Sequence, residues 1–432
     1  MDLRHSEACL IGVLFLTMSC FAQTDPGPRA GAAAAGGPVP GLSASLAAAF
    51  NKGADNFKEV EAVADGLGPR FNSSSCEMCH KHPATGGTSP AINPQLQFAN
   101  SQNTMPSFIT TNGPVREVRF VRNLDGTPDG GVHDLFTISG RSDAPAGCNL
   151  TQPDFPAQLS QNNVIFRIPT PTFGLGLIEA IPDSVLVQNV NQSASPSLGI
   201  HGQLNRSGND GTITRFGWKA QNKSLLMFAG EAYNVEMGIT NLLFNTEREE
   251  APNCYTNPAP NSIFNMGGFV DQAVFDDINN FSNFMRFLAP PARGPIDSTV
   301  TRGSQLFVNI GCANCHTPTL TTGSSQFPVL ANQTIHPYSD FAIHHMGGAL
   351  ADSVSQGLAA GDQFRTAPLW GLGQRLFFLH DGRTSDLLRA IMDHFGLGSF
   401  QYPPSSANEV IEKFVFLSAS DKQAILNFLR SL

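Results

Sequence analysis

The chain has 432 residues, enough for two or three domains that each bury a core, and its formal net charge is −9. This acidity argues against a nucleic-acid-binding protein and against binding to anionic membrane surfaces. The 41 glycines and 30 prolines exceed average usage, so long irregular connections are expected between the regular elements.

The N-terminus has the pattern of an export signal. Arg4 and His5 precede an apolar run over residues 8–15, and small residues follow up to Ala22, where cleavage is expected. The alternative is a lipoprotein in which Cys20 carries the lipid anchor. No other stretch reaches the roughly 18 apolar residues of a membrane-spanning helix. The mature protein is therefore expected in the periplasm, either soluble or lipid-anchored.

Three segments make up the predicted first part of the mature chain. Residues 23–41 are rich in Gly, Ala and Pro and predict a flexible linker. A helical apolar stripe starts at Leu42, and the Gly- and Pro-containing run 65–69 ends it. The N-terminal domain is expected to extend over residues 42–290.

Two Cys-x-x-Cys-His motifs are the most informative feature of the sequence. In such a motif two thiols add across haem vinyl groups and the His binds the iron. One copy could arise by chance or serve as a redox dithiol. Two copies in a chain with an export signal predict two covalently bound haem c groups. The expected thioether residues are Cys76, Cys79, Cys312 and Cys315, and the expected proximal iron ligands are His80 and His316.

Cys148 and Cys254 remain once the signal and motif cysteines are set aside. In an oxidising compartment two leftover cysteines most simply form a disulfide. The alternative is a pair of buried free thiols.

The middle of the chain predicts an irregular insertion in the first domain, over about residues 115–220. Residues 115–121 and 163–168 show strand-like alternation and are bounded by turn residues. Helical patterns return at residues 224–237 and 270–288. The Pro-rich run 290–295 then predicts a domain boundary.

Residues 296–432 predict a second haem domain. A helix near residues 300–309 leads into the second motif, and a closing helix has Ser420 as its expected N-cap. The predicted fold is thus mainly α with much irregular structure. It consists of two domains like class I cytochromes c, the first carrying an insertion with short β-strands. The haem motifs are the only internal repeat that the sequence suggests.

Several further segments resemble one known family, the dihaem c-type oxidoreductases related to bacterial dihaem cytochrome c peroxidase. The similarity extends over nearly the whole mature chain. The segments that carry it are residues 66–72, 173–179, 215–220, 236–240, 364–370 and 378–383.

In these relatives one haem is open to peroxide, and the other is six-coordinate and relays electrons. The motif His380-Asp381-Gly382 matches the family's His-x-Gly. His394 lies downstream of it, where the peroxidases have Met. The resemblance therefore implies that His394 is the sixth ligand of the haem bound by His316. Met392 and Met346 are competing candidates.

The first haem lacks an evident distal histidine. Residues 83–105 contain no His, and His82 is too close to His80 to reach the opposite face of the haem. Either this haem is five-coordinate, or a remote residue such as His133 or His201 reaches it. An open iron position is what peroxide binding requires.

The resemblance also implies residues for proton and electron transfer. Glu236 corresponds to the distal acid–base glutamate, with Glu179 as the alternative, and Phe228 replaces a Gln that often accompanies it. A less polar pocket would raise the pKa of such a glutamate. Trp218 matches a tryptophan that lies between the haems, although a packing role is the other interpretation.

The remaining implied sites concern the cofactors. Arg365 and Arg383 are candidate partners of the haem propionates, since a guanidinium can bind a carboxylate through two hydrogen bonds. A divalent ion such as Ca²⁺ lies between the domains in relatives, but the sequence identifies no ligands for it.

The function that these observations favour is a periplasmic dihaem oxidoreductase. It would reduce hydrogen peroxide at the N-terminal haem with electrons relayed from the C-terminal haem. A small electron-donor protein, a cytochrome or cupredoxin, is the expected partner. One alternative is a dihaem electron-transfer cytochrome without substrate chemistry. Another is an oxidase or oxygenase that acts on an organic or protein substrate.

Overall fold

The computed structural model describes residues 23–31, 34–249, 251–255, 257–263 and 277–432. The expected export signal, the candidate lipid anchor Cys20 and the beginning of the helix expected from residue 270 lie outside these ranges. Within them, no helix is both long and apolar enough to cross a membrane.

The described residues form a mainly helical fold with short strands and long connections. The helices are α1 Ala44–Lys58, α2 Cys76–Cys79, α3 Phe155–Ser160, α4 Leu175–Glu179, α5 Asp183–Ser193, α6 Leu225–Met237, α7 Asp277–Phe287, α8 Ser298–Ile310, α9 Leu387–Met392, α10 Asn408–Val415 and α11 Ala419–Ser431. The strands are β1 Arg70–Phe71, β2 Glu117–Phe120, β3 Phe136–Thr137, β4 Val164–Arg167, β5 Leu320–Thr321, β6 Thr334–Ile335, β7 Ile343–His345 and β8 Gln363–Arg365.

Every strand pairs with one antiparallel partner, giving the two-stranded sheets β1–β3, β2–β4, β5–β6 and β7–β8. The two strands expected from the alternation near residues 115–121 and 163–168 are β2 and β4, and they pair with each other. The segment expected to be a mostly irregular insertion also contains α3, α4 and α5.

Two close helix crossings organise the molecule. In the first half α1 crosses α7 at Gly53, where a Cβ atom would overlap the carbonyl oxygen of Asn280. In the second half α8 crosses α11 at Gly303, where a Cβ atom would overlap the carbonyl oxygen of Ala424. Only glycine lets the two backbones approach this closely. Each haem motif follows the first helix of one such pair.

A phenylalanine one helical turn after each of these glycines contacts the motif histidine. The ring centre of Phe57 lies 6.0 Å from that of His80, and the ring centre of Phe307 lies 6.2 Å from that of His316. The Gly-x-x-x-Phe pattern of α1 and α8 is thus a second repeated feature.

The hydrophobic residues form two main cores that do not follow the chain order strictly. The first core surrounds α1, α6 and α7, and the second surrounds α8, α10 and α11. Residues that follow the second haem motif nevertheless pack in the first core, among them Leu320, Phe327 and Phe341. Ile200 in turn packs in the second core. Segments from both sides of residues 290–295, where the sequence predicts a boundary, thus pack in both cores.

Cys148 and Cys254 form a disulfide, as expected, and Cys254 is buried in the first core. The bond ties the loop before α3 to the segment that follows α6. The closing helix differs in one detail, because the side chain of Ser418, rather than that of Ser420, caps α11 by accepting a hydrogen bond from the backbone of Asp421.

The described part of residues 23–41 differs from the flexible linker that its composition suggests. The carboxylate of Asp25 forms an ion pair with Arg430 of α11 at 2.6 Å, and both side chains are buried. The backbone N–H of Arg29 donates to Gly373, and that of Val39 donates to Phe287. This segment therefore contacts both halves of the molecule. Composition did not reveal these contacts because they depend on residues far away in the chain.

Candidate functional site

Each half of the molecule contains a cavity at its haem motif. The N-terminal cavity is lined by Cys76, Cys79 and His80, and the C-terminal cavity by Cys312, Cys315 and His316. All four cysteines are free thiols. Among the described residues, Trp218 is the one that lines both cavities. Its indole N–H donates to the carbonyl of Ile168 at 2.8 Å, and this bond holds the ring between the two cavities.

The first motif is held by helix α2. The side chain of Ser75 caps this helix by accepting a hydrogen bond from the backbone of Met78, and His80 follows its last residue. Nδ1 of His80 donates to the carbonyl of Gly87 at 3.0 Å, since a carbonyl oxygen can only accept. With the proton on Nδ1, Nε2 is the ring nitrogen that could bind iron, and the backbone of Thr170 also lies close to the ring. Burial lowers the pKa of His80 to about 4, so the ring is neutral, as an iron ligand must be.

The second motif follows Gly311, whose φ of 108° ends α8 and turns the chain into Cys312–Asn314. Nδ1 of His316 donates to the carbonyl of Tyr338 at 3.0 Å, which again leaves Nε2 free. Burial lowers the pKa of His316 to about 4. The two motif histidines therefore have the same tautomer and the same charge.

His394, the sixth ligand expected from the resemblance, lines the C-terminal cavity together with His316. Its Nδ1 donates to the carbonyl of Ala390 at 2.8 Å, and the centres of the two imidazole rings are 6.5 Å apart. Two imidazoles that bind one metal from opposite sides, with bonds of about 2 Å, would have ring centres roughly 6 Å apart. The separation fits an iron between His316 and His394.

The two competing methionines occupy different places. Met346 lines the C-terminal cavity, whereas the side chain of Met392 does not and is 37% exposed. His380, from the His-x-Gly motif, also lines this cavity and stacks on Phe364 with ring centres 4.2 Å apart.

The histidines considered for the far side of the first haem all lie outside the N-terminal cavity. His133 stacks on Phe120 and pairs with Asp129 at 2.8 Å. His201 is exposed, and Nε2 of His82 is bonded to the carbonyl of Gln374 at 2.7 Å. Among the described residues that line the N-terminal cavity, His80 is the only histidine.

Glu236 of α6 lies in the N-terminal cavity and accepts a hydrogen bond of 2.9 Å from the side chain of Asn72. Burial and the neighbouring carboxyl of Glu117 raise the pKa of Glu236 well above its ordinary value. Phe228 lines the same cavity. Glu179 does not line it, because its carboxylate accepts from the backbone of Leu225 and pairs with Arg286.

Glu117 and Arg119 of β2 also line the N-terminal cavity, and their side chains form an ion pair. Although burial alone would raise the pKa of Glu117, the guanidinium of Arg119 holds it below the ordinary value. Sequence reasoning missed both residues. The available signal was their alternation with Val118 and Phe120, whose side chains are buried on the other face of the strand.

Guanidinium groups lie in both cavities. Arg365 and Arg375 line the C-terminal cavity, and Nη2 of Arg375 has no hydrogen-bond partner among the described residues. Arg116 lines the N-terminal cavity, and its buried Nε likewise has none in the described structure. Arg383 lines neither cavity, since it pairs with Asp381 and donates to the carbonyl of Ala349. Sequence reasoning missed Arg116 and Arg375.

These features fit two haem groups. Each cavity offers two free thiols, a neutral motif histidine and a buried guanidinium nitrogen that has no acceptor among the described residues. A haem propionate is a carboxylate and would supply that acceptor.

A third set of possible metal ligands lies beside the second motif. Nε2 of His344 is bonded to Asp340 at 2.9 Å, and its Nδ1 lies 3.8 Å from the sulfur of Cys315. A set that contains sulfur does not suit Ca²⁺, which prefers oxygen ligands. No other group of this kind occurs in the described ranges, so the structure provides no support for the expected calcium ion.

A buried charged network lies next to Trp218. Asp352 pairs with Arg167 at 2.7 Å and with Lys219 at 3.0 Å, and all three side chains are almost completely buried. Lys219 also lies over the ring of Phe364, 3.9 Å from its centre. Arg167 lines the N-terminal cavity and Phe364 the C-terminal one, so this network joins the walls of the two cavities.

Comparisons with solved structures give distant similarities. A MauG-like protein associated with microbial copper homeostasis is 16% identical, with 61% of this chain and 90% of that chain covered and a TM-score of 0.28. Hydrazine synthase from Kuenenia stuttgartiensis is 11% identical, with 99% and 100% covered and a TM-score of 0.37. The diheme peroxidase BthA from Burkholderia thailandensis is 12% identical, with 61% and 86% covered and a TM-score of 0.30. TM-scores this low carry no argument about function, and no curated protein matches the chain.

The sequence profile of a family gives a stronger result. The family described as "Di-haem oxidoreductase, putative peroxidase" matches residues 120–432, which is more than half of the chain. The match includes the second haem motif, Trp218 and Glu236, and it begins after the first motif. Two haem groups are the cofactors of this family, in agreement with the two cavities. The chain belongs to the di-haem oxidoreductase family.

Proposed function

We propose that this protein is an exported, periplasmic c-type oxidoreductase that reduces hydrogen peroxide at its N-terminal cavity. Electrons would come from a small donor protein, a cytochrome or cupredoxin, through the C-terminal cavity. The observation that carries the proposal is the difference between the two cavities. One combines a single histidine with a buried glutamate, and the other combines two histidines that face each other.

The residues that would hold the haem groups follow from this arrangement. Cys76 and Cys79 would bind one haem through thioether bonds, and Cys312 and Cys315 the other. His80 would be the single protein ligand of the first iron, and His316 and His394 would bind the second. The unpaired guanidinium nitrogens favour Arg116 and Arg375, together with Arg365, as propionate partners, whereas Arg383 lies outside the cavities.

When bound, haem supplies an iron that exchanges single electrons and can accept a ligand at an open position. The protein supplies the proton chemistry. The raised pKa of Glu236 favours the protonated form of its carboxyl, which could donate a proton as the O–O bond breaks. Asn72 holds that carboxyl in place through its 2.9 Å hydrogen bond.

Trp218 would assist the transfer of electrons between the cavities. Its ring lines both, and its hydrogen bond to Ile168 prevents rotation. The rings of Trp218 and His380 have centres 6.4 Å apart, which extends the aromatic contact into the C-terminal cavity.

Electron paramagnetic resonance of the purified dihaem protein, oxidised and then half-reduced, tests the proposal. A high-spin ferric signal that added peroxide alters is the expected result. Two low-spin signals in the oxidised protein, with no high-spin species on half-reduction and no response to peroxide, would contradict it. The electron-transfer cytochrome would then be the better interpretation.

The variant Glu236→Gln tests the catalytic part separately. We expect peroxide turnover to fall by about 10²–10⁴-fold with both haems retained, because the amide cannot donate the proton that a carboxyl donates. An unchanged rate would remove Glu236 from the mechanism. A wild-type protein that does not react with peroxide, together with a Glu236→Gln variant that retains full reactivity with an organic substrate, would favour the oxidase alternative.

A further inference from the structure

The wall of the N-terminal cavity brings two carboxyl groups together. Glu117 from β2 and Glu236 from α6 both line this cavity, and their carboxyl groups lie close enough to interact. Two ionised carboxylates at such close range repel each other, so a single proton held by the pair is favoured. The pair would then carry one negative charge.

The surroundings decide which carboxyl is ionised. Arg119 pairs with Glu117, and the buried guanidinium of Arg167 also stabilises its charge. Glu236 has a neutral amide, that of Asn72, as its partner, and the same amide also donates to the carboxylate of Asp134, whose charge disfavours ionisation of Glu236. The charge is therefore placed on Glu117 and the proton on Glu236.

The other charged groups around the pair support this distribution. Asp134, from the segment before β3, is paired with Arg248 at 2.9 Å, so its charge is partly balanced. Glu231 of α6 lies close enough to interact with Arg119, and its own carboxylate accepts from Asn222. Arg119 and Arg167 are the cations that act most strongly on Glu117, and Arg116 lines the same cavity.

We propose that Glu117 and Glu236 act on hydrogen peroxide as a carboxyl pair, with Glu117 accepting a proton from one oxygen while Glu236 donates a proton to the other. This inference rests on the proposed function of the N-terminal cavity. A single glutamate would have to carry one proton between the two oxygens in turn, whereas a pair can handle both oxygens at once.

The proton and electron balance is complete. The O–O bond breaks, and the oxygen that receives the proton of Glu236 leaves as water. The proton of the remaining oxygen moves to Glu117, so the pair still holds one proton, which returns to Glu236 before the next turnover. The remaining oxygen takes two electrons from the haem groups and two protons from solvent to form a second water. The electron-donor protein is oxidised.

The variant Glu117→Gln of the haem-loaded protein tests the pair. We expect kcat/KM for peroxide to fall by about 100-fold or more, because the base is lost. Cyanide is the second probe, since hydrogen cyanide must give up its proton when it binds ferric iron. Its affinity, measured from the absorption spectrum, should fall as well. Carbon monoxide binding to the reduced protein involves no proton and should not change.

Glu412→Gln is the matched control. Glu412 is an exposed residue of α10 that lines neither cavity, so the same chemical change is made away from the carboxyl pair. This variant should behave as wild type towards peroxide, cyanide and carbon monoxide.

If Glu117→Gln fails to load haem, a second variant tests the pair. Arg119→Gln removes the cation that keeps Glu117 ionised, so the pKa of Glu117 should rise. The acidic limb of the pH profile of peroxide turnover should then move to higher pH. An unmoved limb would overturn the proposal.

The possible results distinguish a failure of the carboxyl-pair proposal from a failure of the proposed peroxide reduction. If the wild-type protein neither turns over peroxide nor binds cyanide, the proposed function fails. If the wild type does both, and Glu117→Gln has the same rate and the same cyanide affinity, the carboxyl pair is refuted while the proposed function stands.

Discussion

The two cavities contain the same haem motif, but they differ in the side chains that other segments of the chain contribute to their walls. In the C-terminal cavity α9 and the residues after it bring His394 opposite His316, with ring centres 6.5 Å apart. In the N-terminal cavity β2 and α6 bring Glu117, Arg119 and Glu236 towards His80. A cavity with a second imidazole opposite the first favours electron transfer. A cavity that has ionisable groups in place of the second imidazole favours proton transfer. Under the proposed function, the motif would determine the cofactor and its surroundings would determine the reactivity.

Loss of His394 should remove this difference most directly. In His394→Ala the second iron would lose its sixth ligand, and the low-spin signal of that haem should convert to high spin. Electron paramagnetic resonance measures the change. Met392→Leu is the control, because Met392 is exposed and lies outside the cavity. A low-spin signal that persists in His394→Ala would transfer the ligand role to another residue, with Met346 the first to test.

Asp352 tests whether the two cavities depend on one buried network. Asp352→Asn leaves Arg167 and Lys219 buried without their counter-charge, so unfolding free energy should fall by about 3–5 kcal/mol at neutral pH. Chemical denaturation at several pH values measures this loss.

The same variant has a defined pH dependence. Burial alone would raise the pKa of Asp352, but Arg167 and Lys219 hold it below its ordinary value of 3.8. A carboxyl with a lowered pKa stabilises the fold above that ordinary value, and this contribution is lost as pH falls. The stability difference between wild type and Asp352→Asn should therefore shrink below about pH 4. A difference that stays constant there would show that the charge of Asp352 is not its source.

The disulfide should affect the two halves unequally. Cys148 and Cys254 both pack with the first core, so replacing them with serines should lower the stability of that half by about 2–5 kcal/mol. Denaturation followed separately at the two haems would measure it. An equal loss in both halves would mean that they unfold as one unit.

Trp218→Phe should give the smallest effect. The phenyl ring keeps most of the packing but leaves the carbonyl of Ile168 without its donor, a cost of about 1–2 kcal/mol. Electron transfer between the haems should slow, which rapid-mixing spectroscopy can follow. Trp370→Phe is the control, because Trp370 lines neither haem cavity. Equal rates in the two variants would assign Trp218 to packing alone.

Much of the fold follows from local sequence patterns. Alternation identified the strands β2 and β4, and apolar periodicity identified α6, α8 and α11 within a few residues. The leftover cysteines identified the disulfide. The packed segment near Asp25 was missed because its composition resembles a linker, while its ion pair with Arg430 joins opposite ends of the chain.

The haem motifs were determined by the sequence alone, because each places its two thiols and its histidine within one turn of chain. The resemblance to relatives added His394, Glu236 and Trp218, all of which line the cavities. Only the tertiary structure decided that Glu117 meets Glu236 and that Arg375, rather than Arg383, lies in a cavity. The reason is that a pKa, an ion pair or a shared wall depends on groups that folding brings together from distant segments.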